Sequence, residues 1–220
     1  MVTYKWPISP AVYLIPLLLE KVKLYTVTLL SELKVRRMPP IANKHLEKRI
    51  LKAAQRLWRA RGETGLTLRA VAQQARTTTP TLYKRFRNKE ALRLALAYRF
   101  REELTAEVLS APTIEQSHRR YLAYVKAHPR EYELLGNYWG HFFSTPRPVR
   151  TWMLAQLAAR LGGDPEQYST VYEGIFLLCH GASTLLTSAP DERVVEATRE
   201  SCMRVCDRLL ENASLHAQKA

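Results

Sequence analysis

The sequence predicts an all-α fold, and three observations carry that prediction. Leu, Ala, Arg and Glu dominate the 220 residues while glycines number only eight, a composition that favours helix. Long stretches lack the Val/Ile/Thr alternation of strands. From Lys44 onward, apolar residues return at the i, i+4, i+7, i+8 spacing of a helix with one buried face. Apolar residues make up 46% of the chain, enough for a sizeable core in one large or two small domains.

Residues 1–40 form an N-terminal extension. Its apolar run from Ala11 to Leu19 is interrupted by Pro16 and ended by Glu20, Lys21 and Lys23, which is too short for a membrane span. No small-x-small cleavage site follows it, so a signal peptide fits poorly. Pro16 to Leu33 can form an amphipathic helix with Leu18, Val22, Tyr25, Leu29 and Leu33 on one stripe. An accessory helix, a membrane-surface helix and an arm all remain open there. Met38 stands just ahead of the charged region and is a candidate native start.

Residues 41–90 read as one domain. Ile50, Ala54, Leu57 and Trp58 mark the inner face of a first helix, and Gly62 stops it. Thr67 is placed to cap a second, two-turn helix that buries Leu68, Val71, Ala72 and Ala75. After the break at Arg76-Thr77, a third helix runs from Thr78 to about Phe86. Asn88 caps a fourth, whose stripe is Leu92, Leu96 and Phe100. Two short helices joined by a tight turn, with Leu82 and Phe86 holding the second against the first, predict a helix-turn-helix.

The charge agrees with that prediction. Residues 41–90 hold thirteen Lys or Arg against three acids, whereas residues 91–220 hold fifteen of each. A positive excess confined to one segment implies an anionic partner for that segment, and double-stranded DNA is the natural one. Thr78 is placed to cap the third helix, the expected recognition helix, and Pro80 is tolerated in its first turn. Thr79 and Thr81 can touch base edges or thymine methyls, and Tyr83 and Lys84 can reach phosphates.

Residues 44–92 resemble the DNA-binding domain of the tetracycline-repressor (TetR) family of transcriptional regulators. The residues that carry the resemblance are Trp58-Arg59-Ala60-Arg61-Gly62, Thr67-Leu68-Arg69-Ala70-Val71-Ala72, the run from Ala75 to Phe86, and Asn88-Lys89-Glu90-Ala91-Leu92, without gaps. It implies phosphate contacts from Thr67, Tyr83 and Lys89 and base contacts from Thr78, Thr79 and Thr81. Arg69 and Lys84 are further candidates, and Lys44 lies in the arm before the first helix. Arg76 and Thr77 stand where the family pattern has glycine and valine, and Pro80 stands where it has glycine or a small residue. Those departures predict a looser turn.

Residues 91–220 are neutral and richer in aromatics. Helices are expected from Pro112-Thr113 to about Ala127, from Pro129 to Phe143, up to Leu161 after a loop at Pro146 and Pro148, from Asp164 to about Ser188, and from Asp191 to about Asn212. The resemblance implies that this part is a helical domain for effector binding and dimerisation, its last two helices forming a homodimer. Gly174, Leu178, Gly181, Ala182 and Leu185 set small residues among leucines on one stripe, and Val194, Val195, Thr198, Cys202, Val205 and Leu209 give the last helix an apolar face. Of these, Gly174, Leu178, Gly181, Leu185, Val195, Cys202 and Leu209 are the expected interface. Tyr121, Trp139, Phe143, Trp152, Tyr172 and Phe176 are the expected lining of a pocket for an apolar or aromatic small molecule. The segment Tyr124 to Leu135 with Cys179-His180-Gly181 also resembles a regulator subtype with Trp, His and Gly signatures.

The cysteines and the catalytic motifs bound the remaining classes. Cys179, Cys202 and Cys206 make an odd count with no zinc-finger spacing, which suits a reducing cytoplasm. Cys202 and Cys206, four apart, share a helix face and read first as small core residues, a metal grip or an oxidant sensor being the alternative. No metal and no cofactor are expected. Cys179 and His180 point about 100° apart on a helix, and no phosphate loop, nucleophile elbow or HExxH occurs, so no enzyme is expected. The expected protein is a sequence-specific regulator, most naturally a ligand-released repressor on a palindromic operator; a sequence-indifferent architectural DNA binder is the alternative.

Overall fold

A computed structural model describes the backbone of residues 42–188 and 191–215 and the side chains of 45–188 and 191–215. The extension 1–40, its amphipathic stretch and Met38 lie outside the described residues. The chain divides into two units, Met1–His45 and Leu46–Ala220; apart from the first residues of α1, all ten described α-helices belong to the second. They are α1 (Ala42–Gly65), α2 (Leu68–Gln74), α3 (Thr79–Tyr83), α4 (Lys89–Leu109), α5 (Ile114–Ala127), α6 (Pro129–Gly136), α7 (Trp139–Phe143), α8 (Pro148–Leu161), α9 (Ser169–Ser188) and α10 (Glu192–Glu211). The described residues contain no strand. No helix among them is long and apolar enough to cross a membrane.

Side-chain caps start four of the helices where the sequence places them. Thr67, Thr78, Asn88 and Thr113 each accept a hydrogen bond from the amide three residues on, satisfying a donor that the helix itself leaves free. Gly62 ends the regular part of α1 with φ +59°, a left-handed conformation open to glycine at little cost. Helical turns resume beyond it as far as Gly65, so the stop is a kink and not an end.

Two expected helices divide. The span Pro129 to Phe143 breaks at Asn137-Tyr138, just after Gly136, where helix propensity is lowest and the buried Tyr138 donates its hydroxyl proton to Glu90. The helix expected from Asp164 begins instead as a 3₁₀ turn, Pro165–Tyr168. Asp164 caps it, and the Tyr168 hydroxyl ties it back to the Gly162 carbonyl at 2.8 Å.

Packing follows two cores. The first joins α1 to α4 with α5, α6 and α7 through Ile50, Trp58, Leu66, Val71, Leu82, Phe100 and Leu135. The second joins α5, α8, α9 and α10 through Leu122, Leu154, Leu157, Ile175 and Cys206. Helix α4 places Leu92, Leu96, Phe100, Leu104 and Val108 at four-residue steps. That single stripe runs from the basic segment into the neutral one. Polar contacts tie the end of α1 to α6: Trp58 Nε1 donates to the Arg130 carbonyl at 2.8 Å. Arg130 returns bonds to the carbonyls of Arg59 and Ala60 at 2.6 and 2.9 Å. Arg59 pairs with the buried Glu131 and with Glu103.

Candidate nucleic-acid interface and cavity

The turn between α2 and α3 is closed, not loose. Thr77 N–H donates to the Ala72 carbonyl at 2.9 Å and Arg76 N–H to the Gln73 carbonyl at 3.1 Å, the paired bonds of a Schellman ending. Arg76 takes φ +50°, among the described residues the one non-glycine with positive φ. It adopts the glycine conformation without being glycine. The guanidinium of Arg49, from α1, donates to the carbonyls of Ala75 and Arg76 at 3.1 and 3.3 Å and clamps the turn from outside. Sequence reading missed Arg49, because a single Arg on the polar side of a helix carries no pattern. Left-handed backbone costs an L-residue about 1 kcal/mol or slightly more. Arg76→Gly should therefore raise stability by up to about 1 kcal/mol, less what the freer unfolded chain gives back. Chemical denaturation measures this; a less stable variant would mean that the arginine side chain itself holds the turn.

The second helix of the helix-turn-helix, α3, is short. Leu82 is fully buried and Phe86 nearly so, which seats α3 on the first core. Thr78, Pro80, Tyr83, Lys84 and Arg87 are exposed, with Thr79, Thr81 and Arg85 half-buried. Thr78 Oγ1 accepts the Thr81 amide at 3.3 Å and lies 2.8 Å from Thr81 Oγ1, so these two hydroxyls already order one another. Thr67 and Arg69 are exposed at the start of α2, where the Thr67 hydroxyl accepts the Ala70 amide. Lys89 is half-buried, and its ammonium pairs with Glu63 at 2.5 Å. A phosphate would have to displace that partner, at small cost for an exposed pair. The side chain of Lys44 lies outside the described residues. Arg76 and Arg87, absent from the expected set, are exposed as well.

A cavity of about 100 Å³ opens between α4, α5, α7, α8 and α9. Tyr121, Trp139, Phe143, Tyr172 and Phe176 all line it; Trp152 does not and packs against the second core. His118, Met153 and Cys179 complete the deeper wall. At the rim, the Arg147 guanidinium lies 5.2–5.7 Å from the ring centres of Phe143, Tyr172 and Phe176 and pairs with Glu173. The Trp139 indole N–H is buried without a hydrogen-bond partner among the described residues.

Beside the cavity, the Tyr121 and Tyr132 hydroxyls lie 2.8 Å apart, and Tyr132 reaches His180 Nδ1 at 2.7 Å. Burial pushes the Tyr132 hydroxyl up to about 12 and holds the His180 imidazole below its usual range. His180 is thus a neutral partner inside the bundle.

The residues of the expected dimer face divide between buried and outward positions. Val195 and Cys202 are buried inside the chain, and Cys202, Cys206 and Leu210 belong to the second core. Gly174 and Leu209 pack against one another, 3.4 Å from the glycine's would-be Cβ. Leu178 is half-buried, and Gly181 and Leu185 point outward. On α9 and α10 the outward large apolar positions are Leu177, Leu185, Val194 and Val205, 46–63% exposed, and among the described residues nothing lies within 4 Å of where a Cβ on Gly181 would stand. The last helix carries two adjacent apolar stripes, and the chain's own core takes one of them.

Residues 50–96 match the family model of bacterial regulatory proteins, tetR family. No curated protein matches the chain. Among solved structures, TetR from Acinetobacter baumannii AYE is similar at 17% identity, covering 77% of this chain and 97% of that one with TM-score 0.58. A variant of that protein in complex with minocycline gives 16% identity, the same coverages and TM-score 0.59. A TetR transcriptional regulator from Streptomyces coelicolor gives 19% identity, 78% and 99% coverage and TM-score 0.54. At such identities the likeness establishes the fold, all-helical with an N-terminal helix-turn-helix.

Proposed function

We propose, for a chain whose residues 50–96 carry the N-terminal domain of the tetR family of bacterial regulatory proteins, that it binds a palindromic operator as a homodimer and represses until a small molecule releases it. The observation that carries this reading is the coincidence of the positive excess with the helix-turn-helix. Thirteen cations fall within residues 41–90, and the exposed residues of that segment include Thr67, Arg69, Thr78, Tyr83 and Lys84. Phosphate neutralisation by such cations supplies affinity, and the threonines supply the base-edge contacts that specify.

Release would start in the cavity. A volume of about 100 Å³ is below the roughly 300 Å³ at which drug-sized pockets begin, so a ligand must displace rings as it enters. The unpartnered Trp139 N–H favours a flat apolar or aromatic molecule bearing an acceptor oxygen, since satisfying a buried donor recovers about 1–3 kcal/mol. Trp139 belongs to α7, which Tyr138 ties to Glu90 at the start of α4; the preceding α6 is tied to α1 by Trp58 and Arg130. A ligand that prefers the displaced arrangement shifts the population away from the DNA-competent one by its differential affinity.

Selection of binding sites from random duplex DNA tests the reading, using the full-length chain and a chain beginning at Met38. A palindromic motif is expected from both. On that motif, Tyr83→Ala should weaken binding to all sequences with the salt slope retained, whereas Lys84→Ala should weaken it and reduce the slope by about 1. Thr81→Ala should instead relax preference at one or two base pairs, by about 1 kcal/mol each. Binding without an enriched motif would replace the operator reading by the sequence-indifferent one.

A further inference from the structure

All three cysteines of the chain meet at one point. Cys202 and Cys206 are four apart on α10, so their side chains share a face, and Cys179 reaches them from the facing α9. The three sulfurs lie within 4.8 Å of one another, with Cys179 and Cys206 at 4.0 Å, and all three residues are buried and unbridged. A disulfide could join only two of them and would leave the third sulfur in the same pocket. Thiolates around a tetrahedral zinc ion, each at about 2.3 Å, stand about 3.8 Å apart. The observed sulfurs need to close by less than that ion's own bond length.

We propose that Cys179, Cys202 and Cys206 form a three-thiolate site for a thiophilic closed-shell cation, Zn(II) or Cu(I). Soft sulfur donors select these ions over the hard cations. Cu(I) is content with three sulfurs, whereas Zn(II) takes a fourth donor. His118, buried on α5 with Nε2 3.1 Å from Asp207 Oδ1, stands outside the sulfur cluster, so it would have to turn toward the thiolates to fill that place. Cys179 and His118 also line the cavity, which supplies an entry path from solvent. Binding converts up to three thiols to thiolates and releases their protons, so affinity rises with pH. An ion would staple α9 to α10 through a wall that the cavity shares.

The test needs no DNA and is independent of the regulatory reading. The full-length chain, reduced and handled without oxygen, is titrated with Zn(II) against a competing chelator, with Cu(I) in a separate arm and Co(II) as a coloured substitute for zinc. One ion per chain is expected, with thiolate-to-cobalt charge-transfer absorption, proton release, and a higher melting temperature in excess ion. Cys206→Ser and, separately, Cys202→Ser should each weaken binding by about 100-fold or more. Cu(I) retained where Zn(II) is not would support a three-coordinate site without His118. A reduced wild-type chain that retains neither ion overturns the proposal, whatever the variants do, as does a folded serine variant that binds as tightly as wild type.

Discussion

Leu82→Ala should cost the fold about 2–5 kcal/mol, the range for emptying a buried leucine site, and should remove sequence-specific DNA binding. Leu82 is fully buried, and α3 is five residues long, far below the length at which a helix holds itself together in water. Its position therefore depends on Leu82 and Phe86 and on the caps at Thr78 and Asn88. Losing the leucine frees the segment that carries Thr79, Thr81 and Tyr83 while leaving its charge unchanged. Denaturation by urea should give the loss of stability. Binding to a selected operator should fall toward binding to random duplex, with the salt slope largely retained. A variant that kept full operator preference would show that α3 is seated by something other than this contact.

The second large effect concerns assembly. Leu177→Glu together with Val205→Glu places like charges on the outward stripe of α9 and α10, where the proposed two-fold partner would set them near their own copies. Both positions are exposed, so each monomer should keep its stability within about 0.5 kcal/mol. Sedimentation or light scattering should report a monomer. Operator affinity should fall by about 100-fold or more, because the second recognition helix is no longer delivered at high effective concentration. A variant still dimeric would move the interface away from these two helices.

The head was legible because its elements are written locally. Thr67, Thr78 and Asn88 cap where a hydroxyl or amide precedes an apolar run, and the inner faces of α1, α2 and α4 follow a helical period. The charge excess stands in one contiguous stretch. The aromatic lining was partly legible, since large rings in a neutral helical segment have few places to go; that Trp152 belongs to the core instead depends on how α8 is rotated, which no local pattern records.

What the sequence by itself determined is therefore the class of the fold, the start of most of the helices and the position of the helix-turn-helix. Hydrogen-bond capping and amphipathic period act over three or four residues, within reach of a single stretch of chain. Tertiary structure alone decided three matters. Arg76 keeps the turn closed in a left-handed conformation because Arg49, distant in sequence, binds its carbonyls. The stripe Val195–Cys202 faces inward because α10 had two apolar stripes and α9 and α5 cover this one. The three cysteines become a cluster because Cys179 stands on one helix and Cys202 and Cys206 on the next. Each depends on contacts between residues more than twenty apart in the chain, set by which face of a helix its neighbours leave open, and such contacts have no period to read.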